Sequence, residues 1–257
     1  MNVLAIGDVS GKVGLEFVVK KLSGIIRYYD IAFTVANAEN TSGIGMKTEH
    51  AQALFKAGCD VLTLGNHTWG VKGTREYLDS TLHILRPINF APQAPGRGWW
   101  VYETPFGDVC VVNLIGCLDM PNSNVYDNPF HKIDSILEQI NTNIILVDFH
   151  AEATSEKYAM AYHLDGRVSA LWGTHTHVQT SDCCVFKGGM GYITDVGMAG
   201  AVDSVIGMSA EYSVSRFLGN PPERFESASG PGKIEGAIFE IEPLSGKCLS
   251  VEAIRII

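Results

Sequence analysis

The residues of this chain best suited to chemistry stand in five short groups. They are Gly7-Asp8, Asn37-Ala38-Glu39-Asn40, Gly65-Asn66-His67, Asp148-Phe149-His150 and Gly173-Thr174-His175-Thr176-His177. Each follows an apolar run with the length and composition of a buried strand, so an acid, an amide or an imidazole stands where the chain leaves a sheet. Alone, Gly65-Asn66-His67 would equally suit a turn glycine, a capping amide and a solvated ring. Five such groups at the ends of sequence-distant strands point instead to one shared site. Asp, Glu, Asn and His without Cys make an oxygen and nitrogen donor set suited to Mn, Fe, Co or Zn. One ion would not need so many donors. Two divalent ions about 3.5–4 Å apart, bridged by a carboxylate and a hydroxide, would use them for in-line attack on phosphorus.

The intervening segments must place these groups side by side. Residues 2–7 read as a strand buried on both faces, and 12–29 as a helix with Val18, Leu22, Ile25, Ile26 and Tyr29 at helical spacing. A strand at 31–36, a helix at 48–57 and a strand at 61–64 continue the alternation. That implies right-handed crossovers, a largely parallel sheet and strand ends on one edge, where open α/β sheets bind ligands. Helices are further predicted over 72–79, 133–140 and 155–164, and strands over 143–149 and 168–173. Hairpins are predicted over 100–103 with 108–114, 183–186 with 190–194, and 237–242 with 248–256. The expected fold is α/β, two packed mixed β-sheets flanked by helices, in a single domain over 1–257. A stretch rich in small residues and Pro, 198–233, is expected to form a mobile excursion over the site.

At 257 residues, 46% hydrophobic and 18% charged, the chain can bury a sizeable core. No apolar run approaches the roughly 20 residues of a membrane span, and the N-terminus reads as a strand with no basic leader. A soluble cytoplasmic protein without a membrane partner is therefore expected. The net charge of −9 opposes a broad electrostatic grip on duplex nucleic acid. Six cysteines without C-x-x-C spacing argue against a zinc knuckle or a disulfide scaffold, and Cys110 and Cys117 read as small core residues. The adjacent Trp99 and Trp100 could stack on a base, although a packing or interface role suits them better.

The order of the five groups resembles that of the calcineurin-like metallophosphoesterases: an Asp after the first strand, a second acidic residue, Gly-Asn-His, a lone His, then Gly-His-x-His. Three departures make the chain more similar to the YmdB-type branch. Asp8-Val9-Ser10 replaces Asp-x-His, Glu39 replaces the bridging Asp, and Thr174 precedes the His-x-His. That branch carries Gly-Asp-Val, Asn-x-Glu-Asn, Gly-Asn-His-Thr-Trp, Asp-Phe-His-Ala-Glu-Ala-Thr-Ser-Glu-Lys and Gly-Thr-His-Thr-His-Val-Gln-Thr, all present here.

The resemblance implies a calcineurin-like metallophosphoesterase sandwich. It implies that Asp8, Asn40 and His177 hold a first ion, with Asn40 standing in for the His absent at Ser10. Glu39 would bridge, and Asn66, His150 and His175 would complete a second ion. His67 would stay off the metals, free to protonate the leaving oxygen. A homo-oligomeric hydrolase acting on small phosphodiesters such as cyclic nucleotides follows, with two divalent transition-metal ions, Fe or Mn ahead of Zn or Co. Two such ions against Asp8, Glu39 and a hydroxide leave one net positive charge, which matches a diester monoanion. The alternatives are a phosphomonoesterase or nucleotidase, aided by a cation such as Lys12, Lys47 or Arg167, and a metal-containing regulatory binding protein.

Overall fold

The computed structural model describes residues 1–221 and 226–257. Its elements in chain order are β1 (Asn2–Ile6), β2 (Asp8–Val9), α1 (Gly11–Tyr28), β3 (Ile31–Asn37), α2 (Thr48–Ala57), β4 (Val61–Thr63), α3 (Thr74–Ser80) and β5 (Ile84–Leu85). There follow β6 (Trp99–Tyr102), β7 (Val109–Ile115), α4 (Pro129–Leu137), β8 (Ile144–His150), α5 (Thr154–Leu164), β9 (Ala170–Thr174) and β10 (Cys184–Val185). The last are β11 (Gly191–Ile193), β12 (Met198–Ala201), α6 (Ala210–Phe217), β13 (Gly232–Ile241) and β14 (Cys248–Ile256).

One sheet has the order β2-β12-β13-β1-β3-β4-β5, with β14 also paired to β13; the other runs β10-β11-β9-β8-β7-β6. In the first, β1, β3, β4 and β5 are parallel and β13 is antiparallel to β1. In the second, β7, β8, β9 and β11 are parallel, with antiparallel β6 and β10 at the edges. Two mixed sheets flanked by helices are therefore what the sequence pattern led one to expect.

Side chains alternate across a strand, so successive residues serve different cores. Val3 and Ala5 of β1 pack between the sheets with Val109 and Val111 of β7, Leu146 of β8 and Trp172 of β9. Leu4 and Ile6 turn the other way, onto Val18, Leu22 and Ile25 of α1. On the opposite flank, Cys110, Val112 and Leu114 of β7 meet Ile133 of α4 and Met160 and Leu164 of α5. Burial on both faces is why these strands read as nearly unbroken apolar runs. At the carboxyl ends of the strands polar ties replace apolar packing. Asn113 of β7 donates to the Leu64 and Leu85 carbonyls of the other sheet, at 2.7 and 2.8 Å, and Thr63 of β4 donates to Asp148 of β8.

The structure departs from the sequence pattern in several places. Helix α4 begins before the predicted residue 133, because Asn128 caps it by accepting from the Phe130 and His131 N–H groups and Pro129 occupies the first turn. The stretch 198–233 contains β12, which fills the first sheet between β2 and β13, and α6, capped by Ser209; residues 222–225 of it lie outside the described residues. Strand β12 was hard to read because its Met-Ala-Gly-Ala sequence answers a demand for closeness. A Cβ on Gly14 of α1 would overlap the Ala199 carbonyl. Cys117 is half-buried in a loop, whereas Cys110 is buried, and all six cysteines are free. Trp99 and Trp100 pack against the cores on the two faces of β6. Among the described residues, no helix is long and apolar enough to cross a membrane.

Gly7 marks the crossing where β1 gives way to β2. Its N–H donates to the Glu235 carbonyl at 3.1 Å, and a Cβ there would overlap the carbonyl of Gly197. Gly7→Ala should therefore cost about 1–3 kcal/mol by overpacking. Urea denaturation should show a lower midpoint with an unchanged slope; an unchanged midpoint would mean the crossing relaxes freely.

Candidate metal centre

The strand ends bring all seven predicted donors, and His67, into one cluster. Asp8 and Glu39 have no solvent exposure, and neither does His150. Glu39 Oε1 lies 3.1 Å from His150 Nε2, which is also 2.9 Å from Asn66 Oδ1 and 3.1 Å from His175 Nδ1. On the other flank Asp8 Oδ1 is 3.6 Å from His177 Nε2. The Asn40 amide nitrogen lies 3.5 Å from Asp8 Oδ1, 3.5 Å from Glu39 Oε1 and 3.1 Å from His177 Nε2. Glu39 Oε1 thus faces both halves, while its Oε2 accepts the His67 N–H at 2.9 Å. Room for this convergence depends on Gly65, where a Cβ would overlap the His150 ring and the Glu39 carboxylate.

The donor set fits divalent cations because the imidazoles are already oriented as ligands. His177 Nδ1 lies 2.8 Å from the Ile206 carbonyl, which can only accept, so its Nε2 lone pair faces Asp8 and Asn40. His175 Nε2 lies 3.1 Å from the Glu152 carboxylate, which leaves its Nδ1 toward His150 and Glu39. Thr174 donates its hydroxyl hydrogen to Asp148 at 2.8 Å and so accepts from His150 Nδ1 at 3.0 Å, freeing His150 Nε2. In each ring one nitrogen is pinned and the other is directed into the cluster, the arrangement metal-binding histidines adopt. Asn40 stands differently: its Oδ1 is 2.8 Å from His67 Nδ1 and its amide nitrogen faces the carboxylates. A half-turn of the amide exchanges these roles and presents the oxygen.

Electrostatics agree with this reading. Burial raises the Asp8 carboxyl, but His177 and His150 together hold it well below the usual carboxylate range. Burial also raises Glu39, and His150 beside it more than offsets the rise. Burial lowers His177, yet Asp8 lifts it to about 9; His150 is raised by Glu39 and Asp8 in the same way. His175 falls to about 3, because burial and the His150 charge act together. The buried carboxylates are therefore balanced by protons on neighbouring rings, and a divalent cation displaces such protons.

Several residues that shape the centre had no role in the sequence pattern, although all but Asp195 lie within its motifs. Thr174, an interruption when read as sequence, orients His150. Asp148, buried and pushed up to about 6 by burial against its bond to Thr63, anchors Thr174. Glu152 holds His175. Lys157 and Asp195, both 1% exposed, pair at 2.8 Å. Lys157 also donates to the Thr174 carbonyl at 3.0 Å, and Asp195 accepts from the Thr176 N–H at 3.2 Å. The pair grips a turn in which His175 and His177 have φ of 102° and 63°, a backbone region unfavourable to both. Their only advance signal was an Asp, a Glu or a Lys inside a strand or first-turn motif. Of the cations considered for the substrate, Lys12 pairs with Glu16 on an exposed helix face and Arg167 with Asp134.

Comparison with known proteins places relatives beside this geometry. A family model described as YmdB-like protein matches residues 4–254. A 2′,3′-cyclic-nucleotide 2′-phosphodiesterase from Bacillus subtilis is 38% identical over all of this chain and 97% of its own length. A solved structure titled as a novel phosphatase from Mycoplasma pneumoniae superposes with a TM-score of 0.93 at 34% identity, covering 100% of this chain and 93% of that one. A hypothetical protein from Thermus thermophilus superposes with a TM-score of 0.92 at 37% identity, covering 100% and 99%.

Removing one partner of the Lys157–Asp195 pair leaves a buried charge unmatched. Lys157→Met should destabilise the protein by about 3–5 kcal/mol, and adding Asp195→Asn should recover part of that loss. Urea denaturation of the parent, the two single variants and the double variant checks this. A double variant no more stable than Lys157→Met would show that the two are not coupled.

Proposed function

The chain belongs to the YmdB-like family, and on that footing we propose that it is a metal-dependent phosphodiesterase of small diesters, cyclic nucleotides among them. One observation carries the reading. Seven oxygen and nitrogen donors from five strand ends, with three histidine lone pairs oriented inward, gather in one cluster about the buried carboxylates of Glu39 and Asp8. In this proposal Asp8, Asn40 and His177 hold one ion, Asn66, His150 and His175 a second, and Glu39 touches both. The donor set favours Fe or Mn, with Zn and Co also compatible. Ions held there supply Lewis-acid polarisation of a phosphoryl oxygen and activation of water for in-line attack.

The chain's own residues complete the chemistry. With the Asn40 amide turned to present its oxygen to an ion, its N–H donates to His67 Nδ1, so Nε2 is the ring nitrogen that carries a proton toward a substrate, and the ring is 36% exposed. Protonated there, it can supply a hydrogen to a departing ribose oxygen, or stabilise charge on it. Its backbone N–H is bound to Glu39 Oε2, and its ring stands at the edge of the donor cluster, with Nδ1 2.8 Å from Asn40 and 3.5 Å from Glu39 Oε1. The wider proposal includes a homo-oligomer in the cytoplasm, supported by the family likeness. The Mycoplasma relative, described as a phosphatase, favours monoester hydrolysis as the second reading.

Turnover with added Mn²⁺ decides between them: bis(p-nitrophenyl) phosphate and 2′,3′-cyclic AMP should be hydrolysed faster than p-nitrophenyl phosphate. The reverse order would hand the site to a monoesterase.

Elemental analysis should give two transition-metal ions per chain, and Glu39→Ala should remove both together. Loss of only one would move the bridge to another residue.

The neighbours Asn66 and His67 should fail in different ways. Asn66→Ala should weaken metal binding, with activity partly restored by excess metal. His67→Ala should keep its metals and lose about 10²- to 10⁴-fold on a ribose leaving group, but far less on p-nitrophenolate, which departs without a proton. Metal loss from His67→Ala would make it a ligand.

A further inference from the structure

Beside Asn66 the metal cluster opens into a cavity of about 430 Å³ that the hydrolytic chemistry leaves unexplained. Its walls are aromatic. Trp69, two residues after His67 in the chain, lies 6.0 Å from Phe90, and Phe90 stacks on Tyr126 with centroids 5.2 Å apart and planes 29° apart. Phe90 is buried, whereas Trp69 and Tyr126 are half-buried and line the opening. The mouth carries the exposed amides of Asn122 and Asn124, each able to donate and to accept.

The walls are held from outside the cavity. Arg75 packs its guanidinium 5.6 Å from the centroid of the Trp69 ring. The loop bearing the two amides and Tyr126 is fixed at its start by Glu156, which accepts the Cys117 and Leu118 N–H groups at 2.9 and 3.2 Å. Its end is fixed by Asn89, which donates to the Asp127 carbonyl at 3.0 Å. Such a slot, with flat π-faces and a rim of neutral donors and acceptors, matches one part of a nucleotide. Bases stack on aromatic faces whatever their sequence identity, and their edges take amide hydrogen bonds. A bare alkyl or sugar diester would leave both features unused.

We propose that this cavity is a nucleobase subsite, in which Trp69 and Tyr126 stack on the base and Asn122 and Asn124 face its edge while the phosphate lies at the metal centre beyond Asn66. The proposal rests on the phosphodiesterase reading for the placement of the phosphate. The affinity for the base depends only on the cavity.

Calorimetric titration of the Mn²⁺-loaded protein with 3′-AMP and with methyl riboside 3-phosphate, which lacks a base, separates the two. The base should confer tighter binding, and Trp69→Leu should weaken 3′-AMP about 5- to 150-fold while weakening the base-free ligand far less. Trp69→Phe, which keeps a ring, should lie between. The same order should appear in KM for 2′,3′-cyclic AMP against methyl riboside 2′,3′-cyclic phosphate. If Trp69→Leu folds poorly, Tyr126→Leu reports on the same slot. Equal affinity for the two ligands, or equal losses on both in the variants, overturns the subsite even if diesters are hydrolysed. Base-dependent binding through Trp69 without turnover of any diester would leave the subsite standing and overturn the phosphodiesterase reading instead.

Discussion

Two carboxylates without solvent exposure, Asp8 and Glu39, sit within one cluster, and much of the architecture answers to that fact. Charge buried without partners is costly, so positive charge must come to them. The protein delivers it as imidazoles from the second sheet, His150 from β8 and His177 from the turn after β9, with His175 held neutral beside them. Because the acids belong to one sheet and the rings to the other, the cluster also fastens the carboxyl ends of the sandwich together. Asn113 and the Thr63–Asp148 contact add neutral ties at the same end. Divalent ions bound there would take over the balancing role, because the surrounding hydrogen bonds already hold the ring nitrogens in the ligand orientation.

Helix α5 connects the two parts of the site. Its first turn carries Glu156 and Lys157 side by side, and they do different work. Glu156 holds the loop at Cys117 and Leu118 that leads to the aromatic cavity. Lys157 holds the Thr174 carbonyl and Asp195 under the strained histidine turn. A left-handed conformation at two non-glycine residues persists only where the surroundings over-determine it, and here a buried ion pair does so. The motif that joins His150 to Lys157 is thus a single structural unit, with a donor of the cluster at one end and the residue that holds the histidine turn at the other.

Much of the fold and of the centre was legible in the chain. Strands buried on both faces announce themselves as apolar runs, and a parallel sheet sends their carboxyl ends to one edge. That was enough to gather the five polar groups, and the family resemblance then singled out Asp8, Glu39, Asn40, Asn66, His150, His175 and His177 within them. Where local pattern and tertiary demand diverged, reading failed. Strand β12 is built from Met, Ala and Gly because α1 lies so close that Gly14 has no room for a side chain, and such a segment resembles a loop. The early start of α4 was visible in Asn128 and Pro129 only to a reader who weighed caps above apolar periodicity.

The sequence by itself determined which residues would meet, since residue type and position at a strand end are local properties. Only the tertiary structure decided how they meet. It set which nitrogen of each ring turns inward, through Ile206, Glu152 and Thr174, partners up to 29 residues away in the chain. It made Thr174 an orienting group and placed Trp69, Phe90 and Tyr126 around one cavity beside Asn66. Hydrogen-bond direction and cavity shape depend on groups brought together by packing, and no spacing within a single segment encodes them.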